Sequence, residues 1–165
     1  MKTIDFHNDV LPLKDKLFRL ALRITLNGVE AEDITQETLV RVWEKRDEWH
    51  QVENMEAWCL TICRRLALDY VRKNELRAEK EQDVANFQLS VAGSEAMPDD
   101  ALDQRQRVEA VRRLIDQLPE IQRTIIELRD IEGLRYDEIA HVTELTETQV
   151  KVYLHRARKK IRELL

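Results

Sequence analysis

Residues that interrupt helices are scarce in this chain. Glycine and proline each occur only three times among 165 residues, whereas 36% of the residues are charged. Strong helix formers therefore dominate most segments, and few positions can turn the backbone sharply. Hydrophobic residues make up 43% of the chain and aromatic residues only 5%, which suits cores of modest size. The sequence predicts an all-α fold.

Apolar residues in the N-terminal half recur at spacings of three and four, as they do along the buried face of an amphipathic helix. Three such segments follow one another. The first ends at Asn27-Gly28, the second ends near residue 47, and the third spans about residues 54–77. Three helices with short connections favour a compact antiparallel bundle. We predict a first helical domain over residues 1–80.

A stretch without sustained periodicity separates the two halves. Between Glu81 and Gln104 it contains six acidic residues and no lysine or arginine. We predict a flexible acidic linker over residues 81–105. Helical periodicity then resumes, and Pro119 at the first position of a new helix divides it. A second small helical domain is therefore expected over residues 106–165.

The strongest motif lies near the C-terminus. A short helix that contains Ile139 and Ala140 follows Gly133, and Thr146-Glu147-Thr148-Gln149 then has the spacing of a capping box. Two short helices joined by a tight turn form a helix-turn-helix, whose second helix enters the DNA major groove. The turn contains Glu144 and no glycine, so we expect Glu144 to adopt a positive φ or the turn to be built differently.

The second helix of this motif is basic. From Lys151 to Arg162 the chain contains six basic residues and no acid, although its net charge is −5. A local basic face favours nucleic-acid contact even in an acidic chain, whereas a merely solvated face is the alternative. The residues expected to reach bases or phosphates are Gln149, Lys151, His155, Arg156, Arg158 and Lys159.

Cysteine usage and hydropathy limit the possible classes further. Cys59 and Cys63 lie four residues apart in a helical pattern, without the further ligands that a disulfide framework or metal site needs. We interpret them as buried apolar side chains in a reducing cytosol. No signal peptide and no apolar run of about 20 residues is evident. We expect a cytoplasmic protein without membrane insertion, metal or cofactor.

Both halves resemble the extracytoplasmic-function (ECF) sigma factors, which direct bacterial RNA polymerase to promoters. The C-terminal half is similar to their region four at Leu118-Pro119, Arg123, Leu128-Arg129, Gly133-Leu134, Tyr136, Glu138-Ile139-Ala140, Val150-Lys151 and Leu154-His155-Arg156-Ala157-Arg158. The N-terminal half is similar to region two at Asp33-Ile34-Thr35-Gln36-Glu37-Thr38, Arg41-Val42-Trp43, Ala57-Trp58, Leu66-Ala67-Leu68-Asp69-Tyr70 and Arg72-Lys73. The order of the two motif sets matches the family.

The resemblance implies three sets of site residues. Those expected to bind the β′ clamp helices of core RNA polymerase are Asp33, Gln36, Glu37, Arg41 and Trp43. Those expected to bind and melt the minus-ten element are Trp58, Arg65, Tyr70, Arg72 and Lys73. Those expected to bind the minus-thirty-five element are Arg123, Tyr136, Thr146, Gln149, Lys151, His155, Arg156, Arg158 and Lys159. For the first set, the alternative is an exposed helical face with Trp43 in the core.

Four positions depart from the family pattern. Arg65 occupies a position that is usually Asn, and Gln149 one that is usually Thr. Arg135 replaces a Ser or Thr helix cap and lacks the side-chain acceptor that a cap needs. Glu144 occupies the turn position that favours glycine. These departures bear on promoter sequence preference rather than on the family assignment.

The resemblance also implies the partners. These are core RNA polymerase, through its β′ clamp helices and β flap, promoter DNA, and an anti-sigma factor. We expect a monomer when the protein is free, and its net charge of −5 and flexible halves predict weak promoter binding until core polymerase orders both halves. Two alternatives are an operator-binding regulator that dimerises and uses the same helix-turn-helix, and a helical adaptor or polymerase antagonist that never contacts DNA. An enzyme is disfavoured, because the sequence has no phosphate-binding loop, ligand cluster or nucleophile–base pairing.

Overall fold

The structure, a computed structural model, describes residues 3–81 and 99–165. All regular secondary structure in these two ranges is helical, which confirms the predicted fold class. The seven α-helices of the described residues are α1 (Lys14–Thr25), α2 (Gly28–Glu44), α3 (Met55–Glu81), α4 (Asp99–Asp116), α5 (Glu120–Ile126), α6 (Tyr136–Thr143) and α7 (Glu147–Leu164). Short helical turns at Phe6–Val10, Leu11–Leu13, Arg46–Gln51 and Glu127–Ile131 connect or extend them.

Helices α1, α2 and α3 pack together as the first domain. The residues at its centre include Leu17, Leu20, Val42, Leu60 and Ala67, each exposed by 1% or less. Cys59 and Cys63 are buried among them, and burial raises the pKa of each thiol to about 12. Their interpretation as buried apolar side chains is confirmed, and thiols with such a pKa are poor nucleophiles.

The connection between α1 and α2 differs from the prediction. Leu26 ends α1 in the left-handed conformation, with φ 56°, and its N–H donates to the Leu22 carbonyl. Asn27 does not stop α1 but caps α2, because its side-chain oxygen accepts hydrogen bonds from the N–H groups of Val29 and Glu30. An Asn side chain satisfies the free N–H groups of a helix start better than it ends a helix. The Asn27-Gly28 dipeptide therefore begins α2.

Helix α2 ends earlier than expected, at Glu44. The chain continues in the helical turn Arg46–Gln51, which directs Trp49 into the core at 8% exposure. The Trp49 indole N–H donates to the Val42 carbonyl at 3.0 Å, so the buried ring is fully paired. This turn fixes the approach of the chain to α3.

Helices α4 to α7 form the second domain. Helix α4 begins at Asp99, inside the segment predicted as a linker, while residues 82–98 of that segment lie outside the described residues. Pro119 occupies the position before α5 rather than its first turn, and Gly133 turns the chain with φ 77°. The core of this domain includes Ile125, Leu128, Ile139, Val150 and Leu154.

The helix-turn-helix is confirmed in α6 and α7. Glu144 ends α6 with φ 60°, and its N–H donates to the Ala140 carbonyl. The capping box at the start of α7 is also present. The Gln149 N–H donates to the Thr146 hydroxyl at 3.1 Å, and the Thr146 N–H donates to the Gln149 side-chain oxygen at 2.9 Å. Glu144 therefore adopts the positive φ, at the steric cost that a glycine would avoid.

The two domains pack against each other along two seams. Helix α1 lies against α5 and the turn Glu127–Ile131, and helix α3 lies against α6. The sequence predicted independent halves, whereas the structure shows what we call the closed arrangement, defined by these two seams. The seams decide which of the predicted site residues are accessible.

Candidate functional surfaces

The outer face of α2 carries a stripe of exposed residues that combines polar and apolar side chains. Val29, Asp33, Gln36, Val40 and Trp43 recur at spacings of four and three, so they lie on one side of the helix. Val29 is 71% exposed, Val40 50% and Trp43 48%. Three large apolar side chains along one exposed helix face indicate a protein-binding surface. We call these five residues the α2 stripe.

The environment of Trp43 rejects the alternative that it is a core residue. Its ring meets Phe6 edge-on at 5.5 Å and Trp49 at 6.1 Å, while the Arg46 guanidinium lies 4.7 Å from its centre. These contacts fix the ring and leave about half of it exposed. A rigid, half-exposed tryptophan is a common anchor in protein interfaces.

Glu37 and Arg41 were predicted with this surface but lie at its side. They form an exposed ion pair with each other at 3.1 Å along α2. Val29 and Val40 were not predicted, although their helical spacing from Asp33 and Gln36 could have identified them. The structure therefore brings together three of the five predicted residues and adds two apolar ones.

Most of the predicted minus-ten residues share one strip of α3. Trp58, Arg65 and Arg72 follow one another at helical spacing, and Lys73 lies beside them. Tyr70 faces elsewhere, towards α2, where partial burial and the charge of Glu30 raise its pKa. The structure thus brings together four of the five residues and separates Tyr70.

Helix α6 of the second domain covers the first half of this strip. Ile62, which lies between Trp58 and Arg65 on the strip, is only 7% exposed. Trp58 and its neighbours on α3 line one side of a cleft of about 780 Å³, and Arg135 and His141 line the other. Trp58 is therefore half-buried in the closed arrangement, with α6 across the cleft from it.

Hydrogen bonds between the domains fix α6 on α3. The Asn54 amide donates to the Glu138 carboxylate, and an Arg64 guanidinium N–H donates to the Thr143 carbonyl at 3.4 Å. Glu138 also accepts from the Arg135 backbone N–H at 2.8 Å. The carboxylate of Glu138 thus caps the start of α6, because the Arg135 side chain has no acceptor for this purpose. The same carboxylate links α6 to the first domain through Asn54.

Two departures from the family pattern pair with each other across this seam. The Arg65 guanidinium donates to the Glu144 carboxylate at 2.6 Å, and this contact lowers the pKa of Glu144. Both side chains are more than half exposed, so the pair contributes little to stability. The pair nevertheless occupies Arg65, a predicted promoter-binding residue, in a contact with an acidic residue of the second domain.

The seam along α1 contains more charged side chains than the seam between α3 and α6. Arg23, only 9% exposed, donates to Asp116 at 2.6 Å and lies 3.3 Å from the Glu127 carboxylate. One turn earlier on α1, Arg19 donates two hydrogen bonds of 2.7 Å to the two oxygens of Glu132. Two arginines of the first domain therefore meet three carboxylates of the second.

Glu127 has the most perturbed environment on this seam. The residue is 1% exposed, and its Oε2 has no hydrogen-bond partner among the described residues. Burial and the neighbouring Glu132 carboxylate raise the pKa of Glu127 to about 8, whereas Arg19 keeps the pKa of Glu132 low. A proton on Glu127 therefore pairs it with Glu132 and satisfies the unpaired oxygen.

Arg123, predicted to contact DNA, lies in the same seam. Its guanidinium donates to the carbonyls of Arg23 at 2.7 Å and Ile24 at 3.1 Å, at the end of α1, and to the Leu118 carbonyl at 2.7 Å. A cation at a helix C-terminus is favourable, because unpaired carbonyls carry partial negative charge there. Arg123 is therefore committed to protein contacts in the closed arrangement.

The outward face of α7 remains accessible. Thr148, Gln149, Val152, His155, Arg156 and Lys159 are all exposed, and the opposite side of the helix is buried. Other predicted residues are engaged within the second domain. The Lys151 ammonium lies 5.3 Å from the Tyr136 ring centre, and Arg158 forms an ion pair with Asp130. The closed arrangement thus covers only the first half of the α3 strip and leaves Arg65, Arg72 and Lys73 exposed, together with the outward face of α7.

An apolar groove lies on the second domain between α4, α7 and the turn Glu127–Ile131. Its volume is about 650 Å³, and its walls include Val108, Val111, Ile115, Ile131 and Ile161. Four arginines surround it, with one acid among them; they are Arg107, Arg112, Arg158 and Arg162. Neither its apolar walls nor its arginine border was predicted.

Over residues 3–81 and 99–165, no group of three or more His, Cys, Asp or Glu side chains is placed to bind a metal ion. No helix within those same ranges combines the length and the apolar character needed to cross a membrane.

Comparison with known proteins identifies the class of protein to which the chain belongs. The family described as sigma-70 region 2 matches residues 10–77, and the family described as sigma-70, region 4 matches residues 108–161. The ECF RNA polymerase sigma factor SigW of Bacillus subtilis is 28% identical over 157 residues, covering 92% of this chain and 84% of SigW. RNA polymerase sigma factor SigV of the same organism is 30% identical, covering 90% and 84%. The chain belongs to the ECF sigma factor family.

Solved structures share the fold. Sigma factor RpoE in complex with the anti-sigma factor NepR from Bartonella quintana matches with a TM-score of 0.80 at 24% identity, over 97% of this chain and 96% of that one. CnrH in complex with the cytosolic domain of CnrY matches with a TM-score of 0.66 at 20% identity, over 96% and 86%. Both matches include the two helical domains together.

Proposed function

We propose that this chain is a transcription initiation factor that binds core RNA polymerase and directs it to specific promoters. The observation that carries the proposal is the half-exposed Trp43 within the α2 stripe. A helix-turn-helix alone also suits an ordinary operator-binding regulator, whereas such a regulator needs no exposed protein-binding stripe on a separate domain. The β′ clamp helices of core polymerase are the proposed partner of the α2 stripe.

The α3 strip would bind the melted minus-ten element. Trp58 offers a ring on which an unpaired base can stack, and Arg65, Arg72 and Lys73 offer cations for the backbone of a single strand. Tyr70 lies beside α2, so it would support the strip rather than stack on the same strand. The outward face of α7 would bind the minus-thirty-five element in the major groove.

The distance between the two promoter elements requires the domains to separate. About 25 base pairs separate the elements, which corresponds to about 85 Å of duplex at about 3.4 Å per base pair. A compact chain of 165 residues has a radius of gyration of about 15 Å and a diameter of about 40 Å. The closed chain therefore cannot bind both elements at once. Core polymerase would bind the separated domains and compensate for the lost seams.

The apolar groove suits an amphipathic helix with acidic residues at its edges, because arginines surround its apolar walls. We assign the β flap of core polymerase as its occupant in the holoenzyme. An anti-sigma factor that covered this groove or the α2 stripe would exclude polymerase. The site of action is the cytoplasm, where polymerase and chromosome are found, and the proposed function requires no cofactor of its own.

Run-off transcription tests the proposed function. The full chain is mixed with purified core polymerase and a library of promoter fragments, and transcript start sites are mapped. We expect transcripts from a subset of fragments that share sequences near positions minus ten and minus thirty-five. Core polymerase without the chain gives the background. Specific operator binding by a dimer of this chain, without polymerase capture or transcripts, would instead support a conventional regulator.

Removing cations from the outward face of α7 should change the salt dependence of promoter binding. For the holoenzyme on duplex DNA that contains the minus-thirty-five element, Arg156→Ala with Lys159→Ala is expected to reduce the slope of log affinity against log salt by about 2. Each lost phosphate contact removes about 0.9 from that slope. The control pair Lys14→Ala with Arg105→Ala, on α1 and α4, should leave it unchanged. Equal slopes for both pairs would show that α7 does not contact the phosphates.

A further inference from the structure

One exposed residue of α7 has a chemical character unlike its neighbours. Val152 is 42% exposed and lies in the second turn of the helix, on the side opposite Val150 and Leu154, which are buried. Its neighbours on the outward face are all polar or basic; they are Thr148, Gln149, His155, Arg156 and Lys159. Val152 is therefore the apolar centre of a polar, DNA-facing surface.

Folding of the free chain gives no reason for valine at this position. Val152 is not among the side chains that pack against the hydrophobic core. A β-branched residue is also less favourable in a helix than alanine or a straight-chain residue. Isolated exposed apolar residues are common on protein surfaces. This one, however, lies where a recognition helix approaches base edges, since its first turns enter the major groove.

The chemistry of the major groove restricts what Val152 can contact. Bases present hydrogen-bond donors and acceptors there, and the one apolar group that distinguishes a base is the C5-methyl of thymine. A valine side chain cannot form hydrogen bonds, so opposite any other base it would desolvate a polar edge without compensation. We propose that Val152 contacts the C5-methyl group of a thymine in the minus-thirty-five element and selects that base.

This inference rests on the proposed binding of the minus-thirty-five element by α7. The polar neighbours have a separate role, because cations bind phosphates whatever the base sequence. Val152 determines sequence preference at one base pair, whereas Arg156 and Lys159 determine the affinity for any duplex.

Replacing thymine with deoxyuridine tests the contact, since the two bases differ only in the methyl group. Holoenzyme formed with the full chain is bound to its promoter, and each thymine of the minus-thirty-five element is replaced in turn. At one position we expect binding to weaken by about fourfold, the effect of one buried methyl group. In Val152→Ala, the ratio between thymine and deoxyuridine promoters at that position should fall to about one.

Lys159→Ala is the matched control on the same face. It should weaken binding to both promoters equally and preserve the fourfold ratio. Both variants should keep the helical circular dichroism of the wild type, because alanine favours a helix. If no thymine position responds to the replacement, or if Val152→Ala keeps the ratio, the inference is wrong although promoter binding stands. If the holoenzyme binds no promoter, the proposed function itself fails and the inference fails with it.

Discussion

Replacing Trp43 and Gln36 together with alanine is expected to weaken capture of core RNA polymerase by about thirtyfold or more. Truncating a central aromatic anchor of an interface typically costs about 2 kcal/mol or more. Trp43 is 48% exposed, so its loss leaves most of the first-domain core intact. Affinity is measured by pull-down of purified core polymerase at several concentrations of the full chain.

Two further variants make this result specific. Val40→Asp places a charge in the middle of the α2 stripe and should weaken capture to a similar extent, because an unpaired carboxylate would be desolvated in the interface. Arg113→Ala with Gln117→Ala changes two exposed residues of the second domain and should leave capture unchanged. If the Trp43 variant captures polymerase as well as the wild type does, the α2 stripe is not the polymerase-binding surface.

Features that depend on a few neighbouring residues could be predicted from the sequence. The capping box at Thr146 and Gln149 formed as its spacing required. The end of α1 was predicted wrongly, because Asn27 suits both a helix end and a helix start, and only the structure shows which it serves. In the α2 stripe, Asp33, Gln36 and Trp43 were identified from the family motif. Val29 and Val40 were missed because they are not part of the family motif, although their helical spacing from Asp33 and Gln36 places them on the same face.

Contacts between the two domains could not be predicted. An arginine on a helix gives the same sequence signal whether it is solvated, bound to a phosphate or paired with a distant carboxylate. Arg123 was assigned to DNA from the family resemblance, yet it donates to carbonyls about 100 positions earlier in the chain. Arg65 and Glu144 were each noted as departures from the family pattern, and their ion pair depends on a seam that neither segment encodes alone.

Arg23→Ala is expected to shift the free chain from the closed arrangement to separated domains. Arg23 is buried but the side chain of its partner Asp116 is 37% exposed, so removing Arg23 should cost less than the value of about 3–5 kcal/mol for a fully buried ion pair. Here separation of the domains returns Asp116 and Glu127 to water, so the cost should appear as opening rather than unfolding. Small-angle X-ray scattering should show a radius of gyration well above the value of about 15 Å for a compact chain. Arg158→Ala, which breaks an ion pair within the second domain, should remain compact.

The same seam should respond to pH through Glu127. Its pKa is raised from an ordinary value of 4.5 to about 8 in the closed arrangement, so closing retains a proton that opening releases. Through Glu127, closure is therefore expected to weaken as pH rises from about 4.5 to about 8 and to change no further above that. The pKa of Glu132 is lowered from its ordinary value of 4.5, so protonation of Glu132 weakens closure only below about pH 4.5. It does not change closure between about pH 4.5 and 8.

Glu127→Gln separates this effect from other titrations. The amide is uncharged at every pH and can donate to Glu132 as the protonated acid does, so the variant should remain closed between pH 5.5 and 8.5. His141 lies in the cleft between the domains, but it is present in both proteins. A radius of gyration that rises with pH in the wild type and stays constant in Glu127→Gln assigns the response to Glu127. The same rise in both proteins would assign it to another group, and two flat curves would show that Glu127 does not titrate on this seam. Separation of the domains uncovers the first half of the α3 strip, so a pH-dependent seam would make this separation easier in mildly alkaline solution than in acid.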